Sequence, residues 1–307
     1  MPTLVLGRFL PPTVADVRRV ERVQGSCETT GGCTVGLVAR PDDAIAAHRR
    51  AAWLHEALGE DVQVLAPDSP LPAFDAALAL DVGALRWAAA HNLPAGLLPP
   101  DPEVPTPEAV LHDPLRHWDA LVPAARAYFV RRVRIVGPES TGKTTLAEAL
   151  AARFETVYVP EAARDLYARK GFQFDYDDVA EVAWAQLEAE EAAAHEANRV
   201  LLCDTDALTT LVYARHYFGQ VPRLLERLAE ERQYDLTLLC HPDLPWQADP
   251  VRDSAEARVP LFDAFRQELG RRGVRYVDVF GTGDTRTAIA VRAVEAMLRP
   301  HPPDPEP

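Results

Sequence analysis

The eight residues GPESTGKT, 137 to 144, carry the strongest chemical signal in the chain. They fit G-x-x-x-x-G-K-[ST] and lie where that motif works, between an apolar run, RVRIVG (132 to 137), and a helical pattern that starts at Lys143. Gly137 and Gly142 let the backbone turn so that successive N–H groups face one phosphate, and the helix N-terminus adds its positive end. The cradle is Gly137, Pro138, Glu139, Ser140, Thr141, Gly142, Lys143, Thr144 and Thr145. Lys143 is expected to bridge the β- and γ-phosphates of ATP, and Thr144 to hold Mg²⁺. Of 32 basic residues only Lys143 and Lys170 are lysines, and a compact ammonium fits beside phosphates where an Arg fork does not.

In such a sheet the remaining chemistry comes from neighbouring strand ends. LLCDTD places Asp204 at the end of a buried strand, the position of a carboxylate in the Mg²⁺ shell, and Asp206 two residues on would face the same cleft. The plainer reading of Asp204, Thr205 and Asp206 is helix capping. VPEAARD (159 to 165) leaves another strand with Glu161 and Arg164 on one helix face, suited to an acceptor hydroxyl and a phosphate or ribose, or to a surface ion pair alone. The polar, Pro-broken segment 241 to 258 carries Trp246, Arg252 and Arg258 and reads as a lid that delivers an Arg to a transferring phosphoryl group. Each of these could equally be a surface side chain. His195, on the acidic helix with EAEEAAAHEANR, reads as part of a solvated face.

The elements that position these groups are read from periodicity. After residue 130 short apolar strands at RVRIVG, VYVP (157 to 160), VLLCDT (200 to 205), LTLLC (236 to 240) and RYVDVF (275 to 280) alternate with helices, which predicts a five-stranded, doubly wound parallel α/β sheet. Before residue 94, strands TLVLGRF (3 to 9), TVGLVA (34 to 39) and VQVLAP (62 to 67) and a helix over 43 to 58 predict a smaller α/β domain. The Pro-dense stretch 94 to 123 reads as a closing loop and connector, and RPHPPDPEP as a disordered tail. The expected division is 1–126, 127–299 and 300–307.

Composition narrows the function. The chain has 307 residues, 48% hydrophobic and 25% charged, with a net charge of -14, enough for two cores. An acidic chain without a basic run argues against nonspecific nucleic-acid or anionic-membrane binding. No apolar run approaches the roughly 18 residues of a membrane span, and no signal sequence opens the chain, so the cytoplasm is the expected location. Cys203 and Cys240 read as buried apolar thiols. Cys27 and Cys33 flank ETTGG as loop thiols, with a disulfide or half metal site left open.

Taken in order, ARAYFVRRVRIVGPESTGKTTL, the PEAAR element, DTD, PDLPW and VFGTGDTR resemble the ribosylnicotinamide kinase domain of the NadR family over about 126 to 290. The resemblance implies that Gly137 to Thr144 hold ATP phosphates and Mg²⁺ and that Trp246 stacks on the nicotinamide ring. It also implies that Glu161, Asp204 and Asp206 contact the ribose or its 5′-hydroxyl, and that Gly281, Thr282 and Arg286 lie near adenine. Pro250 stands where the family's lid usually has Gly. The first domain resembles the family's nucleotidyltransferase-like unit, but where the pattern reads GRFxPxHxGH this chain reads GRFLPPTVAD, with Thr13, Ala15 and Asp16 in place of two His and a Gly. Leu111 stands about where the family has an Arg. A carboxylate in place of phosphate-binding imidazoles inverts the site's electrostatics, so adenylyl transfer is expected to be lost. The family's helix-turn-helix segment is absent from this sequence, and no DNA binding is implied.

The resulting expectation is an ATP- and Mg²⁺-dependent kinase that phosphorylates nicotinamide riboside or a similar nucleoside. Lys143, Asp204, Glu161, Arg252 and Arg258 are its catalytic candidates, Glu161, Arg164, Asp206 and Trp246 its acceptor contacts, and Thr144 and Asp204 its metal ligands. A P-loop ATPase that senses nicotinamide nucleotides and a kinase for another nucleoside remain the alternatives. A homo-oligomer is compatible with the sequence.

Overall fold

Two units, Met1–Phe129 and Val130–Pro307, divide the chain. The structure is a computed structural model that describes residues 3–27, 33–69, 74, 76–171, 175–246 and 255–299, without the side chains of Cys27, Asp165 and Ala255. Arg252, Pro250 and the tail 300–307 lie outside the described residues.

The first unit runs β1 (Thr3–Gly7), α1 (Val14–Cys27), β2 (Cys33–Val38), α2 (Ala47–Leu58), β3 (Val62–Leu65), β4 (Ala76–Ala79), α3 (Val82–Ala90), β5 (Ala95–Leu97), α4 (Pro107–His112) and α5 (Pro123–Phe129). Its strands form one parallel sheet in the order β3-β2-β1-β4-β5. Gly36 of β2 pairs with Leu6, and a Cβ there would stand 2.8 Å from Leu65 and 2.9 Å from Leu6. The stretch read as a Pro-dense loop contains β5 and α4. The latter begins where Thr106 accepts a hydrogen bond from the Ala109 N–H (3.2 Å) and Pro107 takes the first helical position, a start that Thr-Pro favours. The helix expected from residue 43 begins only at Ala47, because the Asp43 side chain accepts from the Arg40 N–H (3.0 Å) and pairs with Arg8 and with Arg50 (2.6 Å).

The second unit runs β6 (Arg131–Val136), α6 (Lys143–Phe154), β7 (Tyr158–Val159), α7 (Ala162–Arg169), α8 (Asp178–Ala194), β8 (Val200–Asp204), α9 (Ala207–Phe218), α10 (Arg223–Glu231), β9 (Leu236–Cys240), α11 (Arg258–Arg271), β10 (Val277–Val279) and α12 (Asp284–Leu298). The sheet is parallel throughout, ordered β10-β9-β6-β8-β7. β8 is buried along its whole length, as a strand covered on both faces must be. Val133 and Ile135 of β6 pack with Leu146 and Leu150 of α6 and Val294 of α12. On the opposite face Val136 packs with Leu208 and Leu211 of α9 and Phe265 and Leu269 of α11. Each fully buried side chain of this size contributes on the order of 1.5–3 kcal/mol. β6 sits at the centre with β8 on one side and β9 on the other, so its carboxyl end opens at the switch point where ligands of such sheets bind.

Candidate active site

The loop from Gly137 to Gly142 joins β6 to α6 with a backbone that few side chains permit. Gly137 has φ +140°, and a Cβ there would lie 2.6 Å from the Cys240 carbonyl oxygen, so the close approach of β9 requires glycine. Gly142 takes φ +73° to start α6, and Ser140 is also left-handed at φ +55°. The loop is tied internally: the Thr141 hydroxyl donates to the Pro138 carbonyl (2.7 Å), and Lys143 Nζ donates to the same oxygen (3.0 Å). The Lys143 ammonium thus sits over the loop, at the N-terminus of α6.

Across the ladder Ile135 is in register with Asp204, which brings the end of β8 beside the loop. Asp204 is 1% exposed; its Oδ2 accepts from the Thr144 hydroxyl at 2.5 Å, while Oδ1 is buried without a hydrogen-bond partner. Burial pushes the Asp204 carboxyl up, against the nearby Lys143 ammonium and the Thr144 bond. A buried carboxylate oxygen left open beside a threonine hydroxyl is a donor set that suits Mg²⁺, which binds few protein oxygens and keeps its waters. Among the described residues no group of three or more His, Cys, Asp or Glu forms a metal cluster.

From this loop a cavity of about 330 Å³ extends between α7, α8 and α9. Glu161 and Arg164 line it, joined to each other at 3.1 Å between Oε2 and Nε. The Ala162 N–H at the start of α7 is held by Gln186 Oε1 of α8 (2.9 Å), which fixes where Glu161 emerges. The far wall is aromatic: Tyr213, Tyr217 and Phe218 from α9 and Tyr167 from α7. The Tyr213 and Tyr217 rings stack with centroids 6.0 Å apart. Burial, with Glu161 and Glu139 nearby, pushes the Tyr167 phenol up to about 12. The sequence reading missed this wall, although LVYARHYF spaces its two tyrosines four apart on one helix face.

Other candidates are placed differently. Asp206, expected at the acceptor, is not among the residues that line the cavity. It is 1% exposed, Oδ1 caps α9 by accepting from the Thr209 N–H (2.9 Å), and Oδ2 pairs with Arg134 (2.9 Å). Both oxygens are engaged within the protein. Arg258 bonds the carbonyls of Ser140 (3.2 Å) and Leu244 (2.9 Å), so it links the phosphate loop to the segment after β9. Trp246 does not line the cavity; the Arg258 guanidinium lies 5.9 Å from its ring centroid. Arg286, 4% exposed, spans the carbonyls of Thr141, His241 and Gly281 and the Asp243 carboxylate, all between 2.7 and 2.8 Å. It braces the back of the loop rather than offering its guanidinium to a base. Gly281 donates to Asp243 (2.6 Å), and Thr282 follows in the same turn.

In the first unit Thr13 and Asp16 are buried and bonded to each other. The Asp16 carboxylate accepts from the Thr13 hydroxyl (2.7 Å) and N–H (3.2 Å), with Arg19 3.5 Å away. Burial raises the Asp16 carboxyl above its ordinary range, opposed by these bonds. Leu111 lies on α4.

Comparison with known proteins places this geometry. The "Trifunctional NAD biosynthesis/regulator protein NadR" of Escherichia coli (strain K12) is 32% identical over 196 residues, 62% of this chain and 48% of that protein, and the one of Salmonella typhimurium matches equally. The chain spans about half the length of these curated relatives. A crystal structure of NadR protein in complex with NR superposes with a TM-score of 0.76 at 19% identity, and one in complex with NAD and AMP-PNP with 0.80 at 20%. Both comparisons cover 97% of this chain and 96% of the other, a likeness of fold at that identity. No helix among the described residues is long and apolar enough to cross a membrane. The profile of the AAA domain matches residues 132–286, and with that half of its length the chain, a homologue of NadR, belongs to the AAA-domain family.

Proposed function

We propose that the second unit transfers the γ-phosphoryl group of ATP to the 5′-hydroxyl of nicotinamide riboside, giving nicotinamide mononucleotide. The observation that carries this reading is the continuity of one cavity, with the phosphate loop at one end and stacked tyrosines at the other. A planar base on that wall puts its ribose near Glu161 and Arg164, between base and phosphates. The relatives' names, in NAD biosynthesis, point to nicotinamide as that base.

In this reading Lys143 leaves the Pro138 carbonyl for the β- and γ-phosphates, while the loop N–H groups hold the phosphate oxygens. Thr144 and Asp204 would hold Mg²⁺, which neutralises charge on the phosphates when bound. Glu161 orients the acceptor hydroxyl and takes its proton, and Arg164, withdrawn from Glu161, faces the transferring group. Arg258 acts as a positioning residue through Ser140. Arg252 stays a proposed contact to the phosphoryl group.

The first unit is proposed to be a nucleotidyltransferase-like fold that no longer joins mononucleotide to AMP. The reading is supported by Thr13 and Asp16 bonding to each other, buried, at the positions of two imidazoles. Incubation of purified protein with ATP, Mg²⁺ and nicotinamide riboside is expected to yield mononucleotide and ADP and no NAD. Absence of mononucleotide while ATP binds refutes the kinase, and NAD formation refutes the loss.

A further inference from the structure

We infer that the second unit carries another oxyanion site, at the end of its sheet opposite the phosphate loop. The phosphate loop follows the carboxyl end of β6, whereas a cavity of about 540 Å³ opens at the amino end of the parallel neighbour β9, between the turn after α10 and the end of α11. Five arginines line it, Arg134, Arg232, Arg271, Arg272 and Arg275, against two acids, Glu230 and Asp235. Its volume falls within the roughly 300–1,000 Å³ of small-molecule sites.

These arginines are not equally committed. Arg232 is spent on Glu190 and Glu191, and Arg134 on Thr237 and Asp206. Arg272 is different: its side chain is 8% exposed, its Nε donates to Glu268 (2.7 Å), and both Nη groups are buried without a hydrogen-bond partner. The nearest carboxylate to Nη1 is Glu230, at 3.8 Å. Glu268 cannot answer this surplus, since its two oxygens already serve Arg215, Arg271 and Arg272. Arg275 stands exposed on the rim with no hydrogen bond or ion pair among the described residues.

Unsatisfied N–H groups in a buried guanidinium are costly, and such a fork, carried by a residue of the cavity lining, would match the two oxygens of a phosphate group once a side-chain shift brought it to the cavity. The occupant is therefore a small phosphorylated anion, one group on the Arg272 fork and charge left for Arg275. Its surroundings reach the proposed active site, because Arg134 lines this cavity and pairs with Asp206, the cap of the helix that carries Tyr213 and Tyr217.

Calorimetric titration of the full chain with inorganic pyrophosphate tests the site. Wild type is expected to show two classes of binding, and Lys143→Ala to keep one. In the Lys143→Ala background, Arg272→Gln and separately Arg275→Gln are each expected to weaken the remaining class by about tenfold, the effect of one charge-assisted hydrogen bond. Arg275→Gln breaks no contact among the described residues and decides the matter if Arg272→Gln does not fold. Loss of all binding in Lys143→Ala, or remaining binding indifferent to the arginine changes, overturns the inference.

Discussion

At the end of β8 two aspartates, two residues apart and equally buried, have opposite roles. Asp204 keeps one oxygen open, and burial raises its carboxyl, a cost that the proposed Mg²⁺ would relieve. Asp206 has both oxygens occupied, by the cap of α9 and by Arg134, itself 4% exposed. Asp206→Ala is therefore expected to leave a buried guanidinium unpaired and lower stability by about 3–5 kcal/mol, read by urea unfolding, with the ATP KM of folded protein nearly unchanged. Asp204→Ala is expected to fold as stably as wild type and to lose roughly 10²–10³ in kcat, comparable with removing one fixed electrostatic stabiliser of a transition state. Equal stability of Asp206→Ala and wild type would return that residue to the acceptor site.

Among the elements, α9 sets the shape of the cavity. Its cap fixes the helix to the sheet, and the four-residue spacing of Tyr213 and Tyr217 puts both rings on the face that lines the cavity. Tyr217, 45% exposed, can be truncated without harm to the core. Tyr217→Ala is expected to raise the KM for the nucleoside roughly threefold to tenfold, the worth of one aromatic contact, and to leave the KM for ATP unaltered. Steady-state kinetics with each substrate varied in turn checks this. The phosphate loop was readable in the sequence because its chemistry is local: two glycines, a lysine and a threonine act within eight residues, between a strand and a helix. The aromatic wall was not, since tyrosines at helical spacing look the same whether they meet a core or a ligand. Arg286 was likewise opaque, because the four oxygens it bonds come from the phosphate loop, the segment after β9 and the turn before α12, which only the fold brings together. The helices α1 and α3 also escaped notice: α1 spaces Val14, Val17, Val20 and Val23 three apart among polar and charged residues, a stripe that was there to be read, whereas in α3 alanines and a glycine blur the apolar face that Trp87 marks.

Over the whole molecule, where 46 acidic residues face 32 basic ones, many buried carboxylates are paired with arginines, and two of them, one in each unit, have opposite signs of pH dependence. In the second unit, hydrogen bonds from Arg271, Arg215 and Arg272 lower the Glu268 carboxyl to about 2, against the opposing effect of burial. A depressed folded value stabilises above the ordinary glutamate range and is lost as pH falls from about 4.5 toward 2. In the first unit, burial raises the Asp16 carboxyl, and Thr13 and Arg19 offset this only in part. A raised acid value acts the other way: stability is full below the ordinary aspartate range and declines as pH climbs through the folded value. Glu268→Gln is therefore expected to lower the unfolding temperature at pH 7 and to converge on wild type near pH 2. Asp16→Asn, which retains an acceptor for the Thr13 hydroxyl, is expected to raise it at pH 7 and to converge below about pH 4. Scanning calorimetry of both variants at pH 7 and at acid pH measures the two differences. A loss of stability in Asp16→Asn at pH 7 would mean that the Arg19 pairing outweighs the burial of the charge.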